Sequence, residues 1–158
     1  MSDRQRYDIW VHGVNTIVEY PDHAETIRHA GWGTLIEQRE DPPNRYNWFH
    51  LPIPTPTIIQ GEDNRLDWLA LKVWMNENAR LDRIHVRMGG SRIISVRPGI
   101  VGSDRDIEER IGRAGDDLDM VTEGLTVCAK VDFLSGSPRG RIIFRGAGAV
   151  FRPRIIWD

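Results

Sequence analysis

The sequence predicts an all-β protein, an antiparallel β-sandwich of jelly-roll type with one short helix. Short segments of alternating or continuously apolar residues recur along the 158 residues, and turn signals rich in Gly and Pro separate them. Only one segment combines helical spacing with capping residues. Many short strands with at most one helix are typical of sandwiches and barrels, and the number of strands alone leaves closure into a barrel open.

Ten segments have the pattern of a strand. The most regular alternation runs from Leu125 to Phe133, with apolar residues at odd positions and Thr, Cys, Lys and Asp at even positions. Because side chains alternate between the two faces of a strand, this segment should be buried on one face only. The predicted strands are 7–12, 16–20, 33–38, 46–53, 65–75, 83–88, 92–96, 125–133, 141–145 and 147–151.

The predicted helix covers residues 103–113. Ser103 and Asp106 approximate a capping box, and Ile107 and Ile111 share a helical face. Gly112 offers a stop. Residues 22–25 could cap a second short helix, but Ile27 is its single inward candidate.

Three prolines alternate with other residues at positions 52, 54 and 56. Residues two apart on a strand point their backbone N–H groups toward the same edge, so these prolines remove three successive donors from one side. That side cannot form a normal ladder. The segment is therefore predicted to be a protected edge strand or a polyproline-like crossing between two sheets.

Composition favours an ordinary globular protein with one domain over residues 1–158. Apolar residues make up 40% and charged residues 28%, and the formal net charge is −2. This balance predicts no general attraction to nucleic acid or to an anionic membrane. Cys128 is the single cysteine, and the start of the chain has no apolar run of signal-peptide length, so we expect a cytoplasmic protein.

A tryptophan and a histidine are paired twice on predicted strands, in Trp10-Val11-His12 and in Trp48-Phe49-His50. Each copy places an indole and an imidazole on one face of its strand. If His12 and His50 met, they could bind a metal together with a carboxylate such as Glu19 or Glu37. The alternative is that each histidine is a hydrogen-bonded residue at the core boundary.

The tryptophans offer a different kind of site. Flat indoles bordered by polar side chains suit sugar rings, whose C–H faces stack while their hydroxyls form hydrogen bonds. On the strand 65–75, Trp68 and Trp74 share the face that the aliphatic residues do not use. That face could be a sugar platform or a surface for homo-oligomer formation. The indoles of interest are Trp10, Trp48, Trp68 and Trp74.

Other candidate residues carry weaker signals. His85 lies between Arg83 and Arg87 on one face, which suits an anion better than a metal, or else a solvated surface. Cys128 has no neighbouring group in sequence that would activate a thiolate. The acidic segment 115–119 could hold Ca²⁺ but is better explained as a solvated turn. No nucleotide-binding or nucleophile-elbow motif is present, and we expect no cofactor.

Several longer strings resemble a family of small uncharacterised bacterial proteins with a β-sandwich fold. The most specific is Trp-Phe-His-x-Pro-Ile-Pro-Thr-Pro, which occupies residues 48–56. The resemblance spans most of the chain and implies one intact β-domain, with no activity or catalytic residue to carry over. The other strings are His12-Gly13, Gly31-Trp32-Gly33-Thr34, Ile84-His85-Val86, Gly89-Gly90, Arg141-Ile142-Ile143-Phe144 and Gly146-Ala147-Gly148-Ala149.

Two functions of different classes follow. The first is a non-catalytic binding or assembly module that recognises a carbohydrate or small polar ligand. Its ligand-binding residues would be Trp10, His12, Trp48, His50, Trp68 and Trp74. The second is a metal-dependent or acid/base enzyme with a cavity that uses His12, His50 and a carboxylate.

Overall fold

The computed structural model describes residues 6–59, 61–112 and 120–153. It is built from strands with two short 3-10 turns, Gly13–Asn15 and Pro21–His23. The strands are β1 (Tyr7–His12), β2 (Ile17–Val18), β3 (Ala24–Ala30), β4 (Gly33–Gln38), β5 (Tyr46–Ile53), β6 (Ile58–Ile59), β7 (Glu62–Met75), β8 (Ala79–Met88), β9 (Ser91–Val96), β10 (Ile100–Val101), β11 (Arg105–Gly112), β12 (Leu125–Phe133) and β13 (Arg141–Pro153).

The strands form two antiparallel sheets. Sheet A has the order β11-β7-β13-β4-β3, with β1 also paired to β13 and β6 to the start of β7. Sheet B has the order β10-β8-β12-β5-β2, with β9 also paired to β8. The two sheets make an antiparallel β-sandwich of jelly-roll type, so the predicted fold class is confirmed. None of the described residues belongs to a helix long and apolar enough to cross a membrane.

The core consists of the inward residues of both sheets. In β12, Leu125, Val127 and Phe133 are buried as the alternation predicts, whereas Thr126 and Lys130 are partly exposed on the other face. Phe49 of sheet B and Phe144 of sheet A have no exposed surface, and their ring centroids are 4.8 Å apart. The contact between these two rings joins the sheets at the centre of the core.

Most predicted strands are observed, and β1, β4, β5 and β12 have the predicted bounds. The two segments predicted at 141–145 and 147–151 form one strand, β13. Its pairing with β7 shifts between Phe144 and Gly146, which explains why the alternation breaks at Arg145.

The predicted helix at 103–113 is wrong, because residues 105–112 form strand β11. Ile107 and Ile111 are four positions apart, and that spacing gives a shared face on a helix and on a strand alike. On a strand the residue between them shares their face, and Glu109 accordingly faces the sandwich interior, opposite Leu71 of β7. Burial raises the pKa of the Glu109 carboxyl.

The second candidate helix, at 22–25, is also wrong. The chain makes a 3-10 turn over Pro21–His23 and then enters β3, an edge strand that pairs only with β4 among the described residues. An edge strand needs few inward apolar residues, so the scarcity around Ile27 fits β3. The acidic segment 115–119 lies outside the described residues.

Pairing on one side of β5 ends just before the prolines begin, and the chain then crosses between the two sheets, which is one of the two predicted alternatives. The Trp48 carbonyl accepts a bond from the Glu19 N–H at 3.0 Å, so the even positions of β5 face β2. β2 pairs no further along β5 than His50, and the nitrogen of Pro52 therefore meets no strand there. Residues 54–57 lie outside strands and connect β5 of sheet B to the β6–β7 hairpin of sheet A.

Gly13 is expected to tolerate no side chain. A Cβ atom at this position would overlap the backbone carbonyl of Phe144, which cannot rotate away as a side chain could. We predict that Gly13→Ala lowers the free energy of unfolding by at least about 1–3 kcal/mol in urea titrations. Gly31→Ala is the matched control, because a Cβ there has nothing within 4 Å, and it should change stability by less than about 0.5 kcal/mol. Equal stability of both variants would contradict this packing.

Candidate functional site

The predicted ligand-binding residues divide between the two outer faces of the sandwich. Val11 is buried in β1, so Trp10 and His12 point outward from sheet A, where β7 also places Trp68 and Trp74. Phe49 is buried in β5, so Trp48 and His50 point outward from sheet B. The six residues therefore cannot form one surface.

His12 and His50 do not meet, which overturns the two-histidine metal site. His12 ends β1, and its Nδ1 accepts a hydrogen bond from the Val14 N–H at 3.0 Å, capping the 3-10 turn. Glu37, one of the two proposed carboxylate ligands, forms an ion pair with Arg141 in sheet A. Within 6–59, 61–112 and 120–153, no three His, Cys, Asp or Glu side chains are grouped so that they could hold a metal ion.

Cations lie over two of the three indoles on the outer face of sheet A, those of Trp10 and Trp68. Trp10 is 42% exposed and lies against Gly148, where a Cβ atom would overlap its ring. The Lys72 Nζ is 4.5 Å from the Trp10 ring centroid, and the Arg110 guanidinium carbon is 4.9 Å from that of Trp68. These cation–π contacts occupy part of the ring surface that a sugar would need.

Two more histidines have structural partners. The Nδ1 of His23, which is buried, is 2.8 Å from the Tyr46 carbonyl oxygen. The Nδ1 of His29 is 2.8 Å from the Thr34 hydroxyl. Together with His12, these residues stabilise local backbone and turn structure. His50 and His85 remain as candidate ligand-binding histidines, and both lie on the outer face of sheet B.

We call the group formed by Glu19, Trp48, His50, His85 and Cys128 the sheet B site. The strand register places His85 of β8, Cys128 of β12 and His50 of β5 in one row across the sheet. Trp48 is two positions from His50 on the same face. Strand pairing, with side chains alternating between the two faces, thus brings together residues that are up to 109 positions apart in sequence, from Glu19 to Cys128.

Glu19 holds His50 in place. The His50 Nε2 is 2.7 Å from a Glu19 carboxylate oxygen. Burial raises the pKa of Glu19, but hydrogen bonds from Tyr20 and His50 outweigh it, and the pKa is lowered overall. The same bond to Glu19 raises the pKa of the Tyr20 hydroxyl. Glu19 is therefore an ionised acceptor between two donors.

Trp48 and His85 meet across β12. Their ring centroids are 4.9 Å apart and the planes are tilted by 37°. Cys128 projects from β12 beside them and is only 4% exposed, although it faces outward from the sheet. Burial raises the pKa of its thiol, so Cys128 stays protonated and is a poor nucleophile near neutral pH.

The charges at one end of this face are neutralised. The Lys130 Nζ is 3.2 Å from a carboxylate oxygen of Asp82 and 3.2 Å from one of Asp132. Arg80 completes the group through a 2.6 Å ion pair with Asp132. Burial raises the pKa of Asp82, but Lys130 outweighs it, and the pKa is lowered overall.

Three arginines surround His85, and we call them the arginine cluster: Arg83 in the row of Lys130, and Arg87 and Arg92 toward the opposite end of this face. Arg83 and Arg87 flank His85 on its own face of β8, and β9 places Arg92 directly opposite Arg87. Burial lowers the pKa of His85, and Arg92, Arg83 and Arg87 lower it further, so the imidazole is neutral near pH 7. Sequence reasoning identified the first two arginines. Sequence reasoning missed Arg92, because only the pairing of β8 with β9 brings its side chain next to Arg87.

Two nitrogen atoms in this region are buried without a hydrogen-bond partner: the Nε2 of His85 and the Nε of Arg83. Such atoms are rare in folded proteins and are normally satisfied by water, an ion or a ligand. A polar ligand could therefore bind here without displacing existing protein contacts of these atoms. The sheet B site provides an aromatic surface, a fixed carboxylate–histidine pair and a buried imidazole nitrogen without a partner.

His85 should make stability depend on pH below its ordinary pKa of 6.5. Its pKa is lowered in the folded state, so the unfolded chain takes up the proton first and the free energy of unfolding falls as the pH drops below 6.5. In urea titrations between pH 7.5 and about pH 5, the free energy of unfolding of His85→Gln should fall less than that of the wild type, because the part due to His85 is removed.

An NMR titration of the imidazole gives an independent check. Raising the NaCl concentration to about 1 M screens the arginines and should bring the pKa of His85 closer to its ordinary value. A His85 that titrates at or above 6.5 at low salt would contradict this electrostatic environment.

Comparisons with known proteins agree with the fold. The structure is similar to that of a cyclase from Fischerella sp. TAU, with 5% identity, 93% of this chain and 91% of that chain covered, and a TM-score of 0.50. It is also similar to a xylan-binding module, with 14% identity, 96% and 97% covered, and a TM-score of 0.49. The likeness to the cyclase, at 5% identity, shows the fold alone, because one fold carries many functions.

No curated protein matches the sequence. The model of one family, described as a family of unknown function (DUF6623), matches residues 3–147. This match confirms the predicted resemblance to an uncharacterised family and extends over most of the chain. The chain belongs to the DUF6623 family.

Proposed function

We propose that this protein is a non-catalytic binding module that recognises a carbohydrate on the outer face of sheet B. The observation that carries the proposal is the pairing of Trp48 with His85 beside two buried nitrogens that lack partners. An aromatic surface next to unsatisfied polar atoms suits a ligand that is apolar on one side and polar at its edge. A sugar ring has this character.

Each part of the site has a role in such binding. The Trp48 indole would stack on the C–H face of a sugar ring. Glu19 accepts hydrogen bonds and His50 is held against it at 2.7 Å, so hydroxyl groups meet polar atoms that are already oriented. Pre-oriented groups lose less side-chain entropy on binding, which favours affinity for a small ligand.

A binding role fits these groups better than catalysis does. A thiolate nucleophile at Cys128 is disfavoured because burial raises the thiol pKa. His12, the other histidine of the enzyme hypothesis, is on the outer face of sheet A and caps a turn. The groups that remain in the sheet B site act as donors, acceptors and a stacking surface.

Sheet B is preferred to sheet A because Trp48 is paired with His85 beside unpartnered buried nitrogens, whereas two of the three sheet A indoles lie under cations. The Trp10 and Trp68 rings on sheet A lie under Lys72 and Arg110 at 4.5 and 4.9 Å. The face that carries Trp10, Trp68 and Trp74 suits the homo-oligomer contact predicted from the sequence. β7 has strands on both of its edges, β11 and β13, so contact through β7 would be face to face.

The test is oligosaccharide binding by a pair of tryptophan variants. In a glycan array followed by isothermal titration calorimetry, Trp48→Ala should weaken binding at least tenfold, about 1.4 kcal/mol. Trp10→Ala is the matched control on sheet A and should change the affinity less than twofold. Circular dichroism and urea titrations would establish that both variants are folded.

Two results would contradict the proposal. If Trp10→Ala removes binding and Trp48→Ala does not, the ligand binds on sheet A and the assignment to sheet B is wrong. If the wild-type protein binds no oligosaccharide on the array, the function is not carbohydrate recognition. Binding that persists in EDTA is expected, because the site as described requires no metal ion.

A further inference from the structure

We infer that the ligand of the sheet B site is an acidic oligosaccharide, whose carboxylate or sulfate groups bind to the arginine cluster. This inference rests on the proposed carbohydrate-binding function and adds the chemical class of the glycan. It comes from three observations: the convergence of Arg83, Arg87 and Arg92 around His85, the absence of salt bridges between them and the carboxylates that the structure describes, and the unpartnered buried nitrogen of His85.

The cluster is built by strand pairing. Arg83 and Arg87 lie two positions before and after His85 on β8, and all three side chains leave the same face. Arg92 of β9 is the direct cross-strand partner of Arg87. Like charges directly opposite each other on a sheet are destabilising, so this arrangement has a cost in the absence of an anion.

Several other arginines of the described chain, though not all, have carboxylate partners. Arg152 is 2.6 Å from Asp67, and Arg145 is 3.2 Å from Asp106. By contrast, no carboxylate in the described ranges forms a salt bridge with any member of the arginine cluster. Asp82 is near enough to Arg83 for the two charges to interact, so Arg87 and Arg92 are the cations most available to a ligand.

The local contacts of these two arginines leave their charge uncompensated. A guanidinium nitrogen of Arg87 donates to the backbone carbonyl of Gly90 at 3.0 Å, which adds no negative charge. Glu123 lies over the β8–β9 turn at Gly89 but forms no salt bridge with the cluster. A guanidinium group binds carboxylate or sulfate through parallel hydrogen bonds, and such charge-assisted bonds are stronger than neutral ones.

His85 provides an observation that points to a ligand and does not depend on the arginines. Its side chain is only 9% exposed, and its Nε2 has no partner although it is buried. The imidazole lies between the row of Arg87 and the row of Trp48, whose ring it contacts. As a neutral group it can donate a hydrogen bond to an acidic substituent without adding a fourth positive charge.

The spacing indicates an oligosaccharide. Trp48 is in the row of Lys130, and Arg87 is in the row of Thr126, four residues further along β12. Four residues of a strand span about 13 Å, which is longer than one sugar ring. A ligand that reaches both Trp48 and Arg87 must therefore contain at least two sugar units, with an acidic group toward β9.

The experiment compares acidic and neutral probes of equal length. Isothermal titration calorimetry would use an oligogalacturonide, a sulfated galacto-oligosaccharide and the neutral galacto-oligosaccharide. We expect an acidic probe to bind at least tenfold more tightly than the neutral one. Arg87→Gln and Arg92→Gln should each weaken binding of that acidic probe at least tenfold and leave neutral binding within twofold. Arg105→Gln, at the start of β11 in sheet A, is the matched control and should leave both unchanged.

The outcomes separate this inference from the proposed function. If the neutral and acidic probes bind equally and the arginine variants bind like the wild type, the acidic preference is wrong while carbohydrate binding stands. If the acidic probes depend on Arg87 and Arg92 but not on Trp48, and inorganic sulfate competes with them, the cluster binds anions and the sugar platform is wrong. If none of the probes binds, both conclusions are wrong.

Discussion

The contact between Phe49 and Phe144 determines which side chains can form a site. Both rings are completely buried, and they join sheet B to sheet A at the centre of the sandwich. Side chains alternate along a strand, so burying Phe49 forces Trp48 and His50 to the outside. A shift of one residue in β5 would bury the indole and the imidazole and expose Phe49. The proposed ligand surface is thus a consequence of core packing.

The outer face of sheet B divides electrostatically along its strands. At one end Lys130 and Arg80 are matched by Asp82 and Asp132, and the group is close to neutral. At the other end, Arg87 and Arg92 form no salt bridge with a carboxylate of the described residues, whereas Arg83 lies in the row of Lys130 and interacts with Asp82. His85 lies between the two ends, and Trp48 is in the row of Lys130. Composition reports only the net charge of −2 for the whole chain and not this local positive region, so composition alone does not indicate the acidic ligand that we propose.

Sequence patterns predicted the strands better than their assembly. Period-2 alternation fixes which side chains of one strand share a face, and β1, β4, β5 and β12 follow it. The pattern does not state which sheet a strand joins, so it could not reveal that His12 and His50 lie on opposite outer faces. It also failed at Ile107 and Ile111, whose spacing fits a helix and a strand equally. Pairing of Arg92 with Arg87 depends on register across a hairpin with an irregularity, which no local pattern encodes.

The inward-facing carboxylate on β11 has a consequence for how copies of this protein can associate. Among the described residues, β11 pairs only with β7 and is an edge of sheet A. A second chain added there would bury Glu109 more deeply, at the cost of desolvating its carboxylate. An inward-pointing charge is one of the features that discourage pairing along an edge strand, and Glu109 places such a group on β11.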